Sequence, residues 1–271
     1  MIVREEDGRW LLIRQVDHAA LAGDLARHWG NETFERPEPH ASVVIAATMH
    51  DEGWREQDAL PRYDATRAGP LHWRDIPVQE HVAFYAVGIE RTVARDPYAG
   101  LLASMHGAGI YTQRYGTFPV YMTTITPEAR PWIETFIRDQ EALQAELKRR
   151  LWSPRERRSR FERQLWTNYE WLQIYDRLSL FLCLHDLRGA VQDRLGPTPL
   201  GIDAPTVELT VAALGDDVVV VEPWPFDVAE VTVALPVRRI PRRPYADLAD
   251  LQGTVGAAAE ESIRAWLVPQ A

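Results

Sequence analysis

One aspartate constrains this chain more than any other residue. Asp176 falls inside an apolar helical stripe, Leu165, Tyr169, Leu172, Leu180 and Cys183, in a long helix predicted over roughly 155–188. That position faces a core, where an unpaired carboxylate is strongly unfavourable, so the fold must bring it a cation or strong donors. Four other predicted helices repeat the pattern with histidine. His18 heads the stripe Leu21, Leu25, Trp29. His50 and Asp51 extend Val43 and Ala47. His81 shares a face with Tyr85 and Gly88, and His106 continues Tyr98 and Leu102. A single histidine on an apolar face is most often a hydrogen-bonded core residue. Ligand-type residues on five inward stripes point instead to a metal site built between helices.

Around these helices the pattern predicts a β-hairpin over 1–14 that turns at Asp7-Gly8. A helix with Asp17 as its cap ends at Gly30, and another follows Pro39 towards Gly53. Residues 54–78, with Pro61, Gly69, Pro70 and Pro77 among Trp54 and Trp73, predict a long ordered loop able to cap a small-molecule pocket. Further helices are expected over 78–95, from Asp96-Pro97 to the glycines at 107 and 109, and over 128–150. Beyond Gly196-Pro197-Thr198-Pro199, three valine-rich runs within 205–238 read as strands, and a final helix is expected near 246–267. The expected fold is mainly α. A helical metal-binding domain with its hairpin spans 1–190, and a β-rich appendage with a helix packing back spans 191–271. The run Val218–Val221 needs burial, which suggests a homodimer through the β-rich segment.

The 271 residues carry 30 basic and 39 acidic side chains, a net charge of −9, which argues against a nucleic-acid binder. The N-terminal MIVREEDGRW has charges where a signal peptide needs an apolar core, and no stretch has the length of a membrane span. With one cysteine, Cys183, a cytoplasmic location is expected, with no membrane partner. Lys148 is the sole lysine, so Schiff-base chemistry has little to draw on.

The order His18, then His50-Asp51, then His81, His106 and Asp176 resembles the HD-domain superfamily of metal-dependent phosphohydrolases, over roughly residues 16–188. The segment LQIYDRLSL (172–180) is similar to that superfamily's late-aspartate helix. A second His-Asp pair, His185-Asp186, has no helical aspartate after it and is set aside. The segments HDEGW (50–54) and LLASMHGAG (101–109) also resemble an uncharacterised bacterial family of unknown function. The superfamily resemblance implies that His18, His50, Asp51 and Asp176 hold one ion, with Asp51 bridging to a second held by His81 and His106. One or two divalent transition metals (Fe, Mn, Co, Ni or Zn) suit such ligands. The implied activity is hydrolysis of a small phosphorylated or other anionic metabolite by hydroxide held between the metals, with Asp51 at the reacting centre. Arg114 and Arg55 are the candidate substrate-binding cations. The same ligand set also serves HD-fold di-iron oxygenases, and a non-catalytic metal-binding or regulatory module is a third reading. Trp54-Arg55 stands where many HD phosphohydrolases place a lysine, and a GYP-type signature is absent.

Overall fold

The computed structural model of the chain describes residues 1–112, 114 and 126–270. Strands β1 (Ile2–Glu6) and β2 (Arg9–Ile13) form the expected hairpin, with Asp7 and Gly8 both at positive φ in the tight turn. Helices α1 (Gln15–His28) and α2 (His40–Met49) follow, and a short turn of 3-10 helix at Glu52–Trp54 leads into the loop. Asp17 does not cap α1. Its carboxylate instead accepts from the Arg14 side chain at 2.6 Å. The loop carries a two-residue ladder, β3 (Tyr63–Asp64) with β4 (Gly69–Pro70), and a second 3-10 turn at Trp73–Asp75.

Then come α3 (Val78–Arg95), α4 (Pro97–Tyr111), α5 (Arg130–Leu151) and α6 (Arg158–Leu184). Asp96 caps α4 by accepting from the Ala99 N–H at 2.8 Å, while Pro97 occupies the first turn, where no amide proton is needed. No helix among the described residues is long and apolar enough to cross a membrane.

The C-terminal part departs from a mainly α fold with a small β appendage. It contains β5 (Val191–Pro199), β6 (Thr206–Gly215), β7 (Val218–Glu222), β8 (Val231–Pro241), α7 (Leu248–Ala257) and β9 (Glu260–Pro269). These strands join the N-terminal hairpin in one seven-stranded mixed sheet, ordered β1-β2-β8-β9-β7-β6-β5. The molecule is therefore a helical layer packed on a large sheet, not an HD-type helical core. The link is β2 against β8, with Leu12 opposite Arg238 and Arg9 opposite Pro241. The helix expected near 246–267 ends at Ala257, and the rest is β9, inserted between β8 and β7. The Gly-Pro stretch at 196–199 lies in edge strand β5, where a register shift between Leu195 and Thr198 accommodates it.

Strand alternation explains how the sheet serves two cores. Leu11 and Ile13 of β2 join α1, α6 and the inward residues Val233 and Leu235 of β8 in the main core. Leu12 points the other way, to Tyr245, Leu251 and Val255. The valine run is already satisfied within the chain. β7 lies between β9 and β6, with Val219 and Val221 fully buried, so burial of these valines supplies no reason for a dimer.

Candidate metal centre

The inward stripes converge behind the sheet-facing core. His18 comes from α1, His50 and Asp51 from the end of α2, His106 from α4 and Asp176 from α6, and each is at least nine-tenths buried. One ligand-type atom from each of His18, His50 and Asp51 lies within 4.8 Å of the others, and the same holds for His50, His106 and Asp176. His50 belongs to both groupings. His81 lines the same cavity from α3 but belongs to neither grouping among the described residues. Its Nδ1 meets the Tyr111 hydroxyl, and its ring packs edge-on against Tyr85 and Trp54.

The outer ring nitrogens fix how the histidines present themselves. His50 Nδ1 lies 2.8 Å from the Ala47 carbonyl, which can only accept, so the proton belongs on Nδ1. The Ser179 hydroxyl donates to the Asp176 carbonyl at 2.8 Å, leaving its oxygen to accept from His18 Nδ1 at 2.9 Å. Both histidines thus turn Nε2 towards the carboxylates. His18 Nε2 is 2.9 Å from Asp51 Oδ2, and His50 Nε2 is 3.3 Å from Asp176 Oδ1 and 3.9 Å from Asp51 Oδ2. His50 Nε2 is buried and has no hydrogen-bond partner. The Tyr85 hydroxyl donates to Asp51 Oδ1 at 2.8 Å, leaving Oδ2 for the cluster. Outer hydrogen bonds that set the tautomer and aim a carboxylate are the support metal ligands need.

Electrostatics agree with that geometry. Burial opposes ionisation of Asp51 and Asp176, yet the charge of His50 and the neighbouring histidines hold both carboxyls below their usual range, Asp176 at about 2. Burial likewise opposes a charge on His50, but the two carboxylates outweigh it and raise its pKa to about 9. Burial, then the His50 charge, pushes His106 down to about 4, and burial pushes His81 to about 4, so both rings stay neutral at pH 7. Two imidazole nitrogens, His18 Nε2 and His50 Nε2, facing two ionised carboxylates fit a divalent transition metal.

In the metal-free chain a proton on His50 takes the place of that cation. Its stabilising contribution is full below the ordinary histidine range and is lost as pH rises through about 9. A metal bound at His50 Nε2 would have to displace this proton, so its affinity should rise about tenfold per pH unit and level off near pH 9. Competition titrations at pH 6, 7 and 8 check this; equal affinities at all three would contradict a protonated His50.

The two candidate substrate cations lie elsewhere. Arg55 is exposed and forms a fork with Glu52 at 2.5 and 2.7 Å. Arg114 is exposed and lines a separate hollow beside Trp166 and Glu170, where its carbonyl accepts from the Tyr169 hydroxyl and from Gln173. Arg177, next to Asp176, is buried and donates to the Gly196 and Arg194 carbonyls, tying α6 to β5. Asp58 from the loop is also buried, 2.7 Å from the Met1 amino group and accepting from the Gln15 N–H. What lines the metal-side cavity, of about 40 Å³, includes Trp73, Arg74 and Ile76 of the 54–78 loop and Gln15 at the start of α1. The loop was expected over a pocket. Nothing in the sequence pattern marks Gln15 or Arg74.

Fold and site together define a mixed α/β protein with a buried His/Asp centre at the floor of a small cavity. The chain belongs to the family described as "Protein of unknown function (DUF3891)", which matches residues 1–242. No curated protein and no solved structure matches it.

Proposed function

We propose that the chain is a metal-dependent hydrolase of a small phosphorylated or otherwise anionic metabolite. His18, His50, Asp51 and Asp176 hold one divalent transition metal, with His106 and His81 on the side where a second ion would sit. One observation carries the reading: the buried His50 Nε2 is set between two ionised carboxylates, 3.3 Å from Asp176 and 3.9 Å from Asp51, without a well-formed hydrogen bond to either. That arrangement supports a cation because two buried carboxylates converge on imidazole nitrogens from different helices, a concentration of negative charge that a positive centre offsets.

A bound ion would supply Lewis-acid polarisation of a phosphoryl oxygen and a more acidic water. The chain's own residues do the rest. Ser179 and the Ala47 carbonyl hold the two imidazoles in register. Tyr85 steadies Asp51, and Ile76, Ile110 and Leu180 supply apolar wall to the cavity.

The test is phosphate release from a panel of small phosphomonoesters, with Mn²⁺ or Co²⁺ under anaerobic conditions. Turnover that is lost on chelation and lost in His50→Ala is expected. A metal-loaded protein that hydrolyses nothing in the panel but consumes dioxygen with iron would replace this reading with an oxygenase. Metal without any turnover would leave a binding module.

A further inference from the structure

Besides His81 and Tyr85, which hold Tyr111 and Asp51, two polar side chains line the cavity without belonging to the metal cluster. Gln15 is 3% exposed, and its Oε1 is buried with no hydrogen-bond partner. Its backbone is fixed, since the Gln15 N–H donates to Asp58. A buried amide oxygen left unpaired is unfavourable unless something entering the cavity donates to it. Arg74 also lines the cavity; it is exposed, with its guanidinium carbon 5.2 Å from the centre of the Trp73 ring. Its own backbone N–H is held by His72 Nδ1 at 3.1 Å. Among the described residues lining the cavity, Arg74 alone carries a permanent positive charge. Trp73, Ile76, Ile110 and Leu180 supply the mainly apolar walls.

We infer that Gln15 and Arg74 form the substrate-selecting face of this site: Arg74 takes the anionic oxygens of a compact phosphoryl group, and Gln15 Oε1 accepts from its remaining O–H. The inference rests on the hydrolase reading for its chemistry but is tested separately from it. Size supports a compact ligand. At ~10–15 Å³ for each water-sized group, a cavity of about 40 Å³ takes a small oxyanion and leaves the bulk of a nucleotide outside. Charge supports an anion in the metal-loaded site, because Arg74 adds a positive charge to the lining once a bound cation offsets the two carboxylates. The acceptor on Gln15 separates two oxyanions of the same shape. At pH 6 inorganic phosphate keeps a proton to donate, and sulfate has none.

The experiment is calorimetric titration of inorganic phosphate and sulfate at pH 6 into wild type, Gln15→Met and Arg74→Ala, each both metal-loaded and chelated. Metal content and melting temperature are recorded for every sample. Phosphate should bind wild type at least about tenfold more tightly than sulfate, the effect expected when a buried acceptor gains its donor. Gln15→Met should erase that preference while leaving sulfate affinity within about threefold. Arg74→Ala should weaken both anions about tenfold or more with unchanged metal content. A preference that survives in Gln15→Met, or anion affinities untouched in Arg74→Ala, would overturn the assignment. Wild type that takes up no metal would sink the hydrolase reading; a Gln15-dependent preference for phosphate in the chelated protein would still support the assignment, and no phosphate binding in either form would overturn it.

Discussion

Exchanging Asp51 for asparagine is expected to lower transition-metal affinity by at least about 100-fold, or ~2.7 kcal/mol. The side chain keeps its shape and can still meet Tyr85 and His18, so the change removes charge rather than packing. Asp51 is one of only two ionised carboxylates in the cluster. Without it, His50 Nε2 faces Asp176 alone and His18 Nε2 faces a neutral amide. Tyr85→Phe, which only releases Asp51 Oδ1 from its donor, should cost about tenfold, the scale of a lost outer hydrogen bond. The other His-Asp pair gives the control. Asp186 forms an exposed ion pair with Arg188 and lies outside both ligand groupings. Asp186→Asn should therefore leave metal content unchanged. Plasma mass spectrometry after dialysis against buffered free metal measures all three. Equal metal in Asp51→Asn and wild type would remove Asp51 from the ligand set.

That contrast between two identical dipeptides shows which part of the site was legible in the sequence. His18, His50, Asp51, His106 and Asp176 stand out because each is a polar residue at an inward position of an apolar stripe, and inward positions are what tertiary packing brings together. Gln15 and Arg74 have no such mark. One begins a helix and the other sits in a loop, so their approach to the cavity depends on the path of the whole chain. Arg55 and Arg114 fail for a related reason. Nearness to a motif along the sequence does not aim a side chain at the motif's partners, and Arg55 is satisfied locally by Glu52.

The fold divides in the same way. The hairpin at Asp7-Gly8, the capped start of α4 and the span of α3 are local decisions, and the residues that make them are adjacent. The seven-stranded sheet is not local. Its continuity rests on β2 meeting β8 some 230 residues away, at Arg9 opposite Pro241. The run Ile263-Arg264-Ala265-Trp266-Leu267 of β9 fits either period, so the sequence alone also admits a helix there. Burial of Ala265 and Leu267 between two strands decides in favour of the sheet.

Gly53→Ala is expected to destabilise the protein by about 3 kcal/mol or more, the upper range for forcing atoms into a packed interior. A Cβ at Gly53 would stand 1.8 Å from the Phe84 carbonyl oxygen and 3.1 Å from the Gly88 nitrogen. Gly88 answers it from α3, where a Cβ would lie 2.5 Å from the Gly53 nitrogen. Both obstacles are backbone, so no rotamer change relieves them, and the Glu52–Trp54 turn has to move away from α3. Trp54 moves with it. That ring is 1% exposed and packs on Phe84 and His81, so the displacement reaches the cavity and the Asp51 next to the turn. Metal affinity should fall together with stability. Gly253→Ala and Gly256→Ala provide the opposite case in α7, where an added Cβ meets nothing within 4 Å. Each should gain up to about 1 kcal/mol from helix propensity. Urea denaturation separates these outcomes. A Gly53→Ala protein within about 1 kcal/mol of wild type, with its metal retained, would mean that the HDEGW turn does not rest on α3 as closely as described.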